Sequence, residues 1–137
     1  MALDIKQVEY YNIIVNDHMV DGSRLLSIIA GAGVSFHAFK AVPLGPRRTQ
    51  FSLFPMDSVK MADGAVKAGL KWDGPYSALL IKGDEKSGAL ADIYQKLSQA
   101  GIQVDESMGI ADINGGYGVV LHLKQEECNK AMTALNM

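Results

Sequence analysis

Polar interruptions divide the chain into short apolar blocks whose spacing switches between a period of two and a helical period. The stretch "VEYYNIIV" (8–15), rich in β-branched and aromatic residues, predicts a strand that ends at Asn16, Asp17 and His18. Leu25, Leu26, Ile28, Ile29 and Ala32 then fall on one side of a helix, which "GAG" stops before "VSFHAFKAV" resumes as a strand. Pro43, Gly45 and Pro46 predict a turn and "RRTQFSLF" the returning strand. A second helix over "DSVKMADGAVKAG" begins at the capping candidate Asp57.

The second half repeats this order. Displacing the sequence by 68 residues lays Ala32-Gly33-Val34 on Ala100-Gly101-Ile102, and Leu53 on Leu121, without a gap. "YSALLIK" predicts a strand, Leu90, Ile93, Leu97 and Ala100 a helical stripe, and "IQVDESMGIADI" the next strand. Asn114-Gly115-Gly116 turns the chain, "YGVVLHL" alternates as a strand, and Cys128, Ala131, Met132 and Leu135 line a last helix. Leu70 to Asp73 allow a short fourth strand before a Gly74-Pro75 turn. The second half has no counterpart after its last helix, so its closing strand is either missing or supplied by residues 2–7. The expected fold is α+β: two tandem ferredoxin-like βαββαβ sandwiches, residues 1–73 and 74–137, each an antiparallel sheet with helices on one face. Because "YYNIIV" and "HAFKAV" place large apolar groups on both alternations, the other sheet face is expected to be partly covered by another module or chain.

With 137 residues, 48% of them hydrophobic, the chain can bury a core. A formal charge of -2 gives no general attraction to nucleic acid or anionic membrane. The single cysteine, Cys128, forms no internal disulfide and reads as a small buried hydrophobe, and three histidines without metal-ligand spacing predict no metal. No cofactor motif is present. The N-terminal residues lack the pattern of a signal peptide, and no apolar run approaches the roughly 18 residues of a membrane span, so a cytoplasmic location is expected.

The chemistry concentrates in "GDEKSGAL" (83–90), where a strand gives way to a helix. A helix N-terminus offers unpaired N–H groups and partial positive charge to a carboxylate, and an acidic side chain beside it can take an ammonium. The amides of Ser87, Gly88 and Ala89 and the carboxylates of Asp84 and Glu85 supply both halves of a receptor for a free amino acid. Gly88 permits close approach to the backbone, and Ser87 is the candidate helix cap.

The run "DEKSGALADIYQKLSQAGIQV" resembles the ACT domain, a small regulatory module that binds amino acids. The resemblance covers essentially the whole chain as two copies with no catalytic domain. It implies a non-catalytic amino-acid sensor, working as a homodimer or on a regulated enzyme. By position it carries a ligand site onto Asp84, Glu85, Lys86, Ser87, Gly88, Ala89 and Leu90. The corresponding loop of the first copy gives Asn16, Asp17 and His18, and the strand starts after each first helix give Ser35 and Gln103. The first copy departs from the pattern: Val20 stands at the glycine position and Gly22 where leucine is usual. Unequal sites are therefore expected, the second better formed.

Three other readings compete. An RNA-binding surface needs stacking aromatics and basic residues, but Val119 and Leu121 stand where aromatics would be required beside Tyr117. Catalysis has acid–base candidates in Asp105, Glu106, His37 and His122 but no activated nucleophile, and "GAGVSF" follows a helix rather than opening one. The third is a protein-interaction module that binds no small molecule.

Overall fold

The structure, a computed structural model, describes residues 3–84 and 88–136. Its contacts group into two units, Glu9–Pro75 (the first unit) and Met1–Val8 with Tyr76–Met137 (the second unit). The expected division at 73/74 thus falls two residues later, and the first eight residues join the second unit.

In the first unit the Glu9–Val15 part of strand β1 (Asp4–Val15) is followed by α1 (Val20–Gly31), β2 (Phe36–Gly45), β3 (Arg48–Pro55) and α2 (Ser58–Lys67). The strands are antiparallel in the order β2-β3-β1, with Tyr11 opposite Leu53 and Ile13 opposite Phe51. Their inward alternation meets Leu25, Ile29 and Met61 in a core that also holds Val34, because residues four apart on a helix share a face. Gly64 lets the helices approach: a Cβ there would lie 2.6 Å from that of Ala32. Asp57 caps α2, its side chain accepting from the amides of Val59 and Lys60, each at 3.1 Å.

The expected turn at Pro43–Pro46 is shorter in the structure. Strand β2 runs through Pro43 to Gly45, which proline allows because β2 ends the strand order and needs no ladder N–H on that side. Leu70 and Trp72 pack on the core but Leu70–Trp72 form no strand, contrary to expectation. Nor does Gly74-Pro75 reverse the chain. Gly74 takes φ 134°, a conformation open to glycine, and strand β4 (Asp73–Gly83) continues extended through Pro75.

The second unit comprises Asp4–Val8 of β1, β4 from Tyr76, α3 (Ala89–Gln99), β5 (Glu106–Ala111), β6 (Tyr117–His122) and α4 (Gln125–Leu135). The antiparallel order β5-β6-β4 pairs Gly109 with Val119, Ile81 with Val119 and Gly83 with Tyr117. The start of β1 supplies the fourth strand. Leu3 and Ile5 pack on the core of Leu79, Ile81, Ile93, Leu97, Leu121, Cys128, Ala131 and Leu135, and Gln7 Nε2 donates to Ser77 Oγ at 3.5 Å. The choice left open by the sequence is thereby decided: N-terminal residues close the second unit. Burial, and secondarily the Glu126 carboxylate, pushes the Cys128 thiol pKa up, in keeping with a structural residue.

One predicted core position is wrong. Leu90 is 55% exposed, whereas Ala89 is buried. With α3 starting at Ala89, positions 89, 93 and 97 face the sheet and position 90 is turned about 100° away. Strand β5 is also shorter than the predicted 102–113, and Ile102 enters the core from the loop before it. On the alternation turned from the helices, Ser52 and Phe54 of the first unit and Ala78, Val120 and His122 of the second are buried.

Candidate functional site

Strand β4 ends at Gly83, and α3 opens five residues later on Gly88, whose φ of 84° lies in the left-handed region that favours glycine. Among the described residues nothing lies within 4 Å of where a Cβ on Gly88 would stand. Gly88, not Ser87, holds the N-cap position; Glu85, Lys86 and Ser87 lie outside the described residues. The first intrahelical bond runs from the Asp92 amide to the Gly88 carbonyl at 2.9 Å. Ahead of it stand the amides of Ala89, Leu90 and Ala91, and among the described residues no side chain caps them.

These amides border a hollow of about 770 Å³. Its walls are the first turn and a half of α3, with Leu90 and Tyr94, and the strands β5 and β6, with Met108, Ile110 and Val119. Tyr94 and Ser107 share a hydrogen bond between their hydroxyls, tying α3 to β5. Gly109 deepens the space: a Cβ added there would meet only ordinary contacts, Gly118 O and Val119 Cγ2 at 3.5 Å.

Tyr117 sits opposite Gly83 in the ladder and covers it with its ring; a Cβ on Gly83 would stand 2.6 Å from the Tyr117 hydroxyl. That hydroxyl is buried and has no hydrogen-bond partner among the described residues. Burial first, then the carboxylates of Asp84 and Asp92, raises its pKa above the usual tyrosine range. Asp84 is exposed at the end of β4, while Asp92 is paired with Lys96 at 3.3 Å.

The matching place in the first unit is filled. Asp17 Oδ1 accepts from the Val20 amide at 2.9 Å, and the Asp17 carbonyl accepts from the amides of Asp21 and Gly22 at 3.0 and 3.3 Å. Asp21 Oδ2 accepts in turn from the Asp17 amide at 3.0 Å. The ring of Phe51 lies under the helix start, where a Cβ on Gly22 would meet its Cζ at 2.6 Å, and His18 stacks edge-on against it at 5.5 Å. Gly22 and Phe51 correspond by position to Leu90 and Val119: the unit with the large strand residue and small helix residue has no room where the other has a hollow.

The sequence-predicted residues are therefore placed unequally. Ala89 and Leu90 line the hollow, Gly88 precedes them as the N-cap of α3, and Asp84 follows the end of β4. Asn16 is exposed, and Asp17 and His18 serve their own loop. Ser35 is exposed in the first unit, its carbonyl accepting from the Met56 amide at 2.8 Å; Gln103 is exposed on the loop before β5 and does not line the hollow. Sequence reading missed Tyr94, Ser107, Met108, Gly109 and Ile110, because nothing in their spacing said which strand would flank α3. Among the described residues no group of His, Cys, Asp and Glu could hold a metal ion, and no helix is long and apolar enough to cross a membrane.

No protein-family model matches the sequence, and no curated protein does. Solved structures do. A protein from Bacteroides thetaiotaomicron superposes with a TM-score of 0.82 at 14% identity, over 96% of this chain and 88% of that one. The aspartokinase α and β subunits give a TM-score of 0.69 at 16% identity, covering 99% of this chain and 95% of theirs. The ligand-free regulatory subunit of aspartate kinase from Thermus thermophilus gives 0.68 at 16%, covering 98% and 93%. At these identities the likeness speaks for the fold alone, an α+β fold also found in the regulatory subunit of aspartate kinase.

Proposed function

We propose that this chain is a non-catalytic sensor built of two tandem ACT-like modules, and that it binds a free amino acid at the start of α3. The observation that carries the reading is the first turn of α3, capped by no side chain among the described residues, set off by a left-handed Gly88 and opening onto a hollow. The ligand carboxylate accepts from the amides of Ala89 to Ala91, where the helix field favours negative charge, and the ammonium pairs with Asp84. One ligand binds per chain, because the corresponding amides at α1 already have acceptors. The structural neighbours, regulatory subunits of aspartate kinase among them, support a regulatory role. The protein acts in the cytoplasm, as a homodimer or on a partner enzyme. Binding favours one arrangement of its elements over another, and the partner responds to that difference.

Calorimetric titration of the chain with the protein amino acids tests this. Binding of one of them at one equivalent per chain, lost in Gly88→Val, is the expected result. No heat with any of them sinks the reading. One observation favours a second reading, a protein-interaction module without small ligand: Met108, Ile110 and Ile113 on and after the terminal strand β5 are 41%, 76% and 96% exposed. Concentration-dependent self-association in sedimentation runs, unaltered by every amino acid, is what that alternative requires.

A further inference from the structure

On the amino-acid reading above, we infer that the ligand carries an uncharged, predominantly apolar side chain of about leucine size or larger. With the polar ends of an amino acid held at the first turn of α3, its side chain is left to the rest of the hollow, and the lining there decides what fits. Leu90 and Val119 present aliphatic groups and Tyr94 and Tyr117 present rings, while the side chains of Met108 and Ile110 fall on the alternation shared with Val120, turned from α3. No Asp, Glu, Lys, Arg or His stands among the described residues of the lining. The hydroxyls of Tyr94 and Ser107 already engage each other, so little free hydrogen-bonding capacity remains on that wall. A lysine, arginine, aspartate or glutamate ligand would bring a charge into this space with no counter-charge among the described residues of the lining, which costs affinity. An alanine ligand would leave it mostly empty.

Size points the same way. A volume of about 770 Å³ is that of a small-molecule site rather than of a packing defect. The absent side chain at Gly109 contributes to it, and the 3.5 Å contacts that a methyl would make at this position leave the strand pairing intact. Leu90 is 55% exposed, so an apolar ligand side chain against it would remove water from surface that is now wet.

The test is a calorimetric titration of the full chain with leucine, isoleucine, methionine, phenylalanine, alanine, lysine and aspartate, run on the native protein, Gly88→Val and Gly109→Leu. The expected result is at least one of the four large apolar amino acids binding about 100-fold or more tightly than alanine, lysine and aspartate. Gly109→Leu should weaken that binding tenfold or more with the melting temperature kept. Preference for lysine or aspartate, still abolished by Gly88→Val, overturns this inference and leaves the sensor standing. Apolar binding indifferent to Gly109→Leu also overturns it. Absence of binding by any of the amino acids overturns both.

Discussion

Gly88 separates a conformational role from a ligand-binding one. Its φ of 84° is left-handed, and a Cβ there would touch nothing within 4 Å among the described residues, so the penalty for substitution is backbone strain. For an L-residue that strain is about 1–2 kcal/mol, somewhat more for a β-branched side chain. Asparagine tolerates the left-handed region better than other non-glycine residues. Gly88→Ala and Gly88→Val should therefore lower the melting temperature by several degrees, and Gly88→Asn by less. Affinity should follow another order. Any side chain at position 88 stands over the free amides of α3, so Asn, Ala and Val should all weaken amino-acid binding, by about tenfold or more for valine. Scanning calorimetry reads the first effect and titration calorimetry the second. If Gly88→Asn bound ligand as tightly as the native chain, the glycine would serve the backbone alone and the proposed carboxylate cradle would be refuted.

Gly83→Ala should displace the Tyr117 ring, since the new methyl would stand 2.6 Å from its hydroxyl; a loss of about 1–3 kcal/mol in chemical denaturation is expected, relieved in the Gly83→Ala/Tyr117→Leu pair. The raised Tyr117 pKa means that the folded chain keeps a proton the unfolded chain releases, so this group's contribution is intact below about pH 10 and is lost as pH rises through the folded value. Ultraviolet titration should show a late-titrating tyrosine that disappears in Tyr117→Phe; an unchanged late phase in that variant would contradict this. Asp17→Ala removes the acceptor for the Val20 amide and should cost about 0.5–2 kcal/mol in thermal melting, while ligand stoichiometry in calorimetry stays at one per chain.

Hydrophobic period and turn chemistry, both local properties, made the order of elements legible from the sequence. The four helices, the Asp57 cap and the strands from "VEYYNIIV" to "YGVVLHL" lie where those patterns put them, within a few residues. Local chemistry also singled out the start of α3, since a glycine beside acids at a strand-to-helix junction is visible without a fold. What lay beyond it depended on contacts distant in sequence. Residues 2–7 have no period that says which unit they complete; those from Leu3 on close the second because its core lacks a fourth strand and Leu3 and Ile5 can cover it. The Leu90 side chain leaves the core because the helix phase is set by Ala89, one residue away. The hollow itself exists only because Val119 and Gly109, from strands paired across the sheet, are both too small to fill the space beside α3, whereas Phe51 fills it beside α1. Volume between elements is a property of their packing, and a linear pattern of apolar and polar positions does not encode it.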